Sequence, residues 1–462
     1  MRPHLFGGGC FLGGAVINYE KGMCVRRKVM KVNYSKHVKH YNTSRKPLRQ
    51  IKLFTWILYV GSKIIMAFQP YKIEKINMEG FKRPYLLLSN HHYFVDFYLN
   101  ALATYPNPVN NVATIDGYYR RPFLMEWLGC ICKRKFTTDL GLIRSIRYCF
   151  EELKSVVCIY PEARYTPIGT TAILPESLGK MVKMCGVPVA VLIHHGNYLH
   201  TPFWDHDHAR KVKLHSTLTG LLTAEDVKRL SAEEINEKIR EAFYYNEYEW
   251  QKNNNIRITE PFRAQGLHKV LYQCPHCMTE SRMNSKGTEI FCEACGKRWE
   301  MDELGELHAL EGETEFTHIP HWFEWERGQV RKQVREGTYR FEDEVDVYSL
   351  PAAWRFEKLG KAKLTHDMTG FTLKGEYNGA EYCIHRPAQG MYGLHVEYNY
   401  VYLKPADCVD ISTDDDSFYC YPMTENNVVT KLSFATEELF IMYKEQKQEE
   451  KQKKRQALKR EE

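Results

Sequence analysis

Short apolar runs alternate with helix-period stretches between about residues 84 and 193, and the runs at Tyr85 to Leu88, Val112 to Ile115, Val156 to Tyr160 and Val187 to Ile193 are apolar throughout. Strands covered on both faces read this way, whereas half-solvated ones alternate. The pattern therefore predicts an α/β domain with a largely parallel sheet. Two helix starts follow, Thr223-x-x-Asp226 and the capping box Ser231-x-x-Glu234, the second continuing with Ile235, Ile239, Ala242 and Phe243 on one face. From about 320 to 430 the chain is rich in Tyr, Val, Thr and Gly turns, as in GFTLKGEYNG, and reads as antiparallel β. A helix such as Lys431 to Lys444 ends it. The last residues, Glu445 to Glu462, read as a solvated charged helix or disorder.

The division expected is a basic arm with an interfacial helix over 1–70, a catalytic α/β domain over 71–260, a zinc ribbon over 266–310, a β-rich domain with a final helix over 315–444, and a charged tail over 445–462. Its 462 residues suit about three domains. A hydrophobic content of 44% and a charged content of 26% exclude whole-chain disorder. A mean hydropathy of −0.49 excludes a polytopic membrane protein.

The net charge of +7 is unevenly placed: residues 21 to 73 carry thirteen Lys and Arg and no acid, and without them 51 basic residues face 57 acidic ones, a remainder of −6. Inside that segment lies IKLFTWILYVGSKIIMAF, residues 51 to 68, the one strongly apolar run. It is at the short end for a span of about 20 residues. The basic residues before it, Arg26 to Arg49, would meet anionic headgroups at about 1 kcal/mol per charge. The pair reads as a helix lying in the cytoplasmic face of a membrane, monotopic or peripheral. The alternative is a core helix after a nucleic-acid-binding arm.

At the N-terminus the apolar patch near Phe11 is broken by glycines, which argues against a secretory signal, and a start at Met23 or Met30 is an alternative. The Gly7 to Gly14 run lacks the strand and the Lys-Ser/Thr ending of a phosphate loop.

The strand Tyr85 to Ser89 runs directly into Asn90-His91-His92-Tyr93-Phe94-Val95-Asp96. Five residues on a regular helix turn through about 140°, so His91 and Asp96 do not share a face. They meet if His91 lies in the strand-to-helix turn and Asp96 in the first helical turn. A carboxylate on one imidazole nitrogen fixes the tautomer and leaves the other as a general base. His92 reads as packing or polar surface.

This block resembles the HxxxxD signature of the glycerolipid acyltransferases, the family that includes the 1-acylglycerol-3-phosphate acyltransferases. Three further blocks follow in the family's order: Gly129-Cys-Ile-Cys-Lys133-Arg134-Lys135, then Tyr160-Pro161-Glu162-Ala163-Arg164-Tyr165 after a strand, then Gly186-Val187-Pro188-Val189. The resemblance covers about residues 70 to 200. In the third block the family has Phe-Pro-Glu-Gly-Thr-Arg; here Ala and Arg replace Gly-Thr, the arginine arrives one residue early, and Tyr165 takes its place.

What the resemblance implies is acyl transfer from a thioester donor, acyl-CoA or acyl-carrier-protein, to the hydroxyl of lysophosphatidic acid, giving phosphatidic acid. His91 would take the hydroxyl proton and Asp96 would orient it. Arg164 would bind the acceptor's phosphate, with Arg134 or Lys135 adding charge. Glu162 would either hold the acceptor's hydroxyl or brace the fold by pairing with Arg164. The altered third block keeps other acceptors open: glycerol 3-phosphate, another lysophospholipid or an amine-bearing lipid.

Cys274-Pro-His-Cys277 and Cys292-Glu-Ala-Cys295 are two CxxC pairs fourteen residues apart. Four thiolates in this spacing predict a closed, structural Zn²⁺ site. Met278 stands where a glycine commonly follows the second cysteine, whereas Gly296 keeps the habit. His276 reads as surface, the His200, Asp205, His206, Asp207, His208 stretch as a solvated polar loop, and Cys130 and Cys132 as packing. A rival reading is a non-catalytic protein whose ribbon and basic arm bind nucleic acid. The −6 remainder leaves the ribbon without strong phosphate attraction, so no nucleic acid is expected.

Overall fold

The structure, a computed structural model, describes residues 31–34, 38–137, 140–400, 402–424 and 426–461. The glycine run, Met23, Met30 and the basic residues Arg26, Arg27, Lys28 and Lys36 lie outside them.

Leu86, Leu87 and Leu88 are wholly buried, as an unalternating strand requires. They form β2 (Leu86–Ser89) of a seven-stranded sheet with β1 (Tyr71–Ile76), β3 (Val109–Thr114), β4 (Ile131–Lys133), β5 (Val156–Ile159), β6 (Val189–His195) and β7 (Leu214–Leu222). The spatial order is β1-β7-β6-β2-β5-β3-β4, and every pairing is parallel except β6 with β7. The sheet is thus mixed but largely parallel. Its helices are α1 (Lys52–Ile65), α2 (Val95–Thr104), α3 (Pro122–Trp127), α4 (Leu140–Glu151), α5 (Ser177–Cys185), α6 (Asn197–His200), α7 (Ala224–Arg229), α8 (Ala232–Ala242) and α9 (Glu247–Asn253). Reciprocal capping boxes at Thr223/Asp226 and Ser231/Glu234 start α7 and α8.

The polarity of α1 is inverted relative to an ordinary surface helix. Thr55 and Ser62 are its buried residues, while Leu53, Trp56, Ile57 and Ile64 are exposed. Thr55 is satisfied by Gln50 Oε1 at 3.0 Å, and Tyr59 stacks on Tyr105 with centroids 4.0 Å apart. At 14 residues α1 is about 21 Å long. Among the described residues no helix is long and apolar enough to cross a membrane.

Around the paired cysteines, β8 (Met283–Lys286), β9 (Glu289–Cys292), β10 (Arg298–Met301) and β11 (Leu307–Ala309) form a four-stranded antiparallel sheet. After α10 (Ile319–Arg335) comes the C-terminal antiparallel sheet: β12 (Arg340–Ala352), β13 (Arg355–Asp367), β14 (Gly370–Tyr377), β15 (Ala380–Pro387), β16 (His395–Glu397), β17 (Cys408–Ser412) and β18 (Ser417–Pro422), ordered β15-β14-β13-β12-β18-β17-β16. The final helix, α11 (Val429–Glu461), packs Leu432, Phe434, Ala435 and Leu439 inward. The same helix carries the charged residues beyond 445, because its packed half supplies the costly nucleus. One hydrophobic core joins Tyr198 and Trp204, the cysteine-bearing sheet, the C-terminal sheet and α11.

Candidate active site

In open parallel sheets functional groups gather beyond the carboxyl ends of the strands. Asn90, at the end of β2, is tied to β6 in both directions: its Oδ1 accepts the His194 amide at 2.8 Å and its Nδ2 donates to the His194 carbonyl at 3.0 Å. With that turn pinned, His91 emerges before α2, and its Nδ1 lies 2.8 Å from Oδ2 of the wholly buried Asp96 in the helix's first turn. The same oxygen accepts the His92 amide at 2.6 Å and the Tyr93 amide at 3.2 Å, while Oδ1 accepts Asn197 Nδ2 at 2.6 Å. Asn197 follows Gly196, which has φ +83° and little room for a Cβ, since one would lie 3.0 Å from the Lys213 carbonyl oxygen.

Burial opposes ionisation of Asp96, but the hydrogen bond from His91 and the neighbouring histidines hold its carboxyl well below the usual range. It is therefore an acceptor only. In the neutral ring His91 Nδ1 therefore carries the proton, and Nε2 keeps its lone pair. The ring is held between Tyr160, stacked at 3.9 Å, and Tyr165, tilted at 4.3 Å, with part of its surface open to solvent. Asn100 Nδ2 donates to the Tyr160 hydroxyl at 2.7 Å and its Oδ1 meets His194 Nε2 at 3.0 Å. Burial pushes His194 down to about 4, so it serves this network neutral. His92 is buried, edge-on to Tyr245, and burial lowers its pKa as well.

Glu162 is buried behind the histidine turn. It accepts the Ala172 amide at 2.7 Å and the Tyr245 hydroxyl at 2.9 and 3.0 Å. Burial nonetheless pushes its carboxyl up to about 7. Ala163 has φ +57°, so the left-handed backbone that suits a glycine persists here without one.

The three basic candidates point elsewhere. Arg164 does not pair with Glu162: its Nη1 bonds Glu437 and Ser433 of α11, and Glu437 also binds Arg327. Arg134 donates to the carbonyls of Leu350 and Pro351 and to Ser417 Oγ at 3.0–3.1 Å. Lys135 is buried among Asp116 at 2.7 Å, Glu397 at 3.2 Å and Asp410 at 3.4 Å. Burial opposes its charge, and these carboxylates keep its pKa well above the ordinary lysine value. The structure thus brings His91, Asp96 and Glu162 together and commits Arg134, Lys135 and Arg164 to the seam with the C-terminal elements. Sequence reasoning missed Asn197, Asn100 and Tyr245. The signal for Asn197 was a polar residue just past a glycine that ends a buried strand.

At the second site Cys274, Cys277, Cys292 and Cys295 converge, each ligand atom within 4.8 Å of the others. Sulfur separations are 3.8 Å for Cys274–Cys295 and 3.7 Å for Cys277–Cys292. A tetrahedron with metal–sulfur bonds of about 2.3 Å has edges of about 3.8 Å, so the set fits a tetrathiolate metal ion. Met278 adopts φ +64° and Gly296 φ +78°, the same turn at both knuckles. His276 sits outside the set, exposed and 3.3 Å from Glu315. In the 200–208 stretch Asp205 is taken by Arg210 at 2.9 Å and His208 at 2.7 Å.

No family model and no curated protein matches the chain. Among solved structures it is similar to the 1-acyl-sn-glycerophosphate (LPA) acyltransferase PlsC of Thermotoga maritima, at 16% identity and a TM-score of 0.33 over 45% of this chain and 82% of that one, a likeness too distant to carry an argument.

Proposed function

We propose that the protein is a membrane-associated acyltransferase that moves a fatty acyl group from a thioester, acyl-CoA or acyl-carrier-protein, to the free hydroxyl of lysophosphatidic acid, giving phosphatidic acid. The observation that carries this reading is the His91–Asp96 pair at the carboxyl end of β2, with Nδ1 engaged by a buried carboxylate and Nε2 free to accept a proton. His91 Nε2 takes the hydroxyl proton as the oxygen attacks the acyl carbonyl. The tetrahedral intermediate then collapses, the C–S bond breaks, and the proton passes from His91 to the departing thiolate. Asp96 stabilises the imidazolium between these steps. Arg164 reaches an acceptor phosphate only by exchanging its bond to Glu437.

The inverted polarity of α1 supports a place at the membrane. An apolar outer face beside Arg45, Lys46, Arg49 and Lys52 suits an anionic cytoplasmic leaflet. The four cysteines are assigned a structural Zn²⁺, which ties the two knuckles together and takes no part in the chemistry. Purified protein given lysophosphatidic acid and acyl-CoA or acyl-carrier-protein should release thiol, and His91→Ala should abolish the release. Undiminished release from His91→Ala refutes the mechanism, and release only with another acceptor reassigns the substrate.

A further inference from the structure

We propose that the tip of the β12–β13 hairpin is a second lipid anchor, so that the C-terminal sheet docks on the same anionic bilayer as α1. This rests on the interfacial reading of α1 and extends it to a different part of the chain. The hairpin turns through Ala353 and Trp354, and Trp354 is 50% exposed. The turn is fixed in place: the Arg120 amide donates to the Ala353 carbonyl and the Tyr41 amide to the Pro351 carbonyl, both at 2.9 Å. Trp354 meets Phe123 of α3 edge-on at 5.3 Å. Phe123 and Trp127 lie one turn apart on α3 and are 58% and 56% exposed, and Trp127 stacks on Phe54 of α1 at 6.3 Å. The outer face of α1, the face of α3 and the hairpin tip therefore form one continuous aromatic strip.

The rim of that strip identifies its occupant. Arg120 and Arg121 are exposed beside Phe123, and Arg355 follows Trp354. The nearby acids are already engaged, Glu126 by Arg45 and Tyr41 and Glu357 by Arg355. Arg355 is thus paired, whereas Arg120 and Arg121 meet no carboxylate among the described residues. Tryptophan near such arginines suits the headgroup level of an anionic membrane, where the ring is half desolvated and the guanidinium meets phosphate.

The test is cosedimentation of the full chain with phosphatidylcholine vesicles containing or lacking phosphatidylserine. Trp354→Ser and, separately, Leu124→Ser, a 47% exposed neighbour of Phe123 on α3, should each weaken partition onto the phosphatidylserine vesicles about tenfold while thermal unfolding is unchanged. Leu310→Ser, at an exposed residue just after β11 and outside the strip, should change nothing. Loss of binding in Trp56→Ser with none in Trp354→Ser overturns the hairpin anchor and leaves the α1 reading intact. Wild-type protein that ignores both vesicles overturns the two together. A drop in oligomeric mass for Trp354→Ser with unaltered vesicle binding makes the strip an interface between copies and overturns the proposal.

Discussion

Replacing Glu162 with Gln should stabilise the protein by an amount that depends on pH. Burial raises this carboxyl from an ordinary 4.5 to about 7. The native state thus holds the proton more tightly than the unfolded chain. Its contribution is fully present below about pH 4.5 and is lost as pH rises through about 7. At roughly 1.4 kcal/mol per pH unit the loss amounts to about 3 kcal/mol. Gln has the same shape and no charge: its oxygen can accept the Ala172 amide and its NH₂ can donate to the Tyr245 hydroxyl. Urea unfolding of the two proteins should therefore agree at about pH 4 and differ by about 3 kcal/mol in favour of Glu162→Gln at about pH 8. An equal difference at both pH values, or a variant less stable at the higher one, refutes the reasoning. Thiol release by the same variant separates the two roles considered for Glu162. A brace survives the change, whereas a carboxylate that holds the acceptor's hydroxyl does not.

Two further outcomes follow from backbone and metal geometry. Ala163→Gly should raise stability by up to about 1 kcal/mol in chemical unfolding, because the left-handed penalty on alanine outweighs the extra chain entropy of glycine; a loss of stability shows that the methyl group packs usefully. Stripping the metal with a chelator, or Cys292→Ser, should remove zinc measured by mass spectrometry and protection of the β8–β11 amides from hydrogen exchange together, and a protected sheet without metal refutes the structural assignment.

Legibility in the sequence followed the range of the interactions. The apolar strands and capping boxes are local patterns, and they appear within a residue or two of their expected places, save that β3 starts three residues before Val112. The contact between His91 and Asp96 was foreseeable because only Asp96 lies in the helix, which removes the 140° obstacle. The four-cysteine cluster was legible because CxxC spacing encodes the turn, and Met278 takes up the same left-handed backbone as Gly296. The basic side chains were not. A lysine or arginine declares a charge but not its partner: besides Asp116, Lys135 meets Glu397, and Arg164 meets Glu437, each more than 200 residues further along. The apolar run over 51–68 likewise announced a helix without saying which face would be left outside. That face was decided where Thr55 and Ser62 turn inward, the Thr55 hydroxyl donating to Gln50.

The seam also sets a timetable for synthesis. Arg134 is satisfied by Leu350 and Ser417, Lys135 by Glu397, and Arg164 by Glu437, 273 residues after it. At ribosomal speeds of about 5–20 residues per second, Glu437 emerges roughly 15–50 s after Arg164. Until then the sheet that carries His91 has Arg134 and Arg164 without these partners and Lys135 held by Asp116 alone, and the turn after Tyr160 has no anchor on α11. The nascent α/β sheet therefore waits in an incomplete form, a stage at which chaperones would find it. The histidine pair is local and assembles early, while the surroundings of its third block are completed only when the last helix folds back.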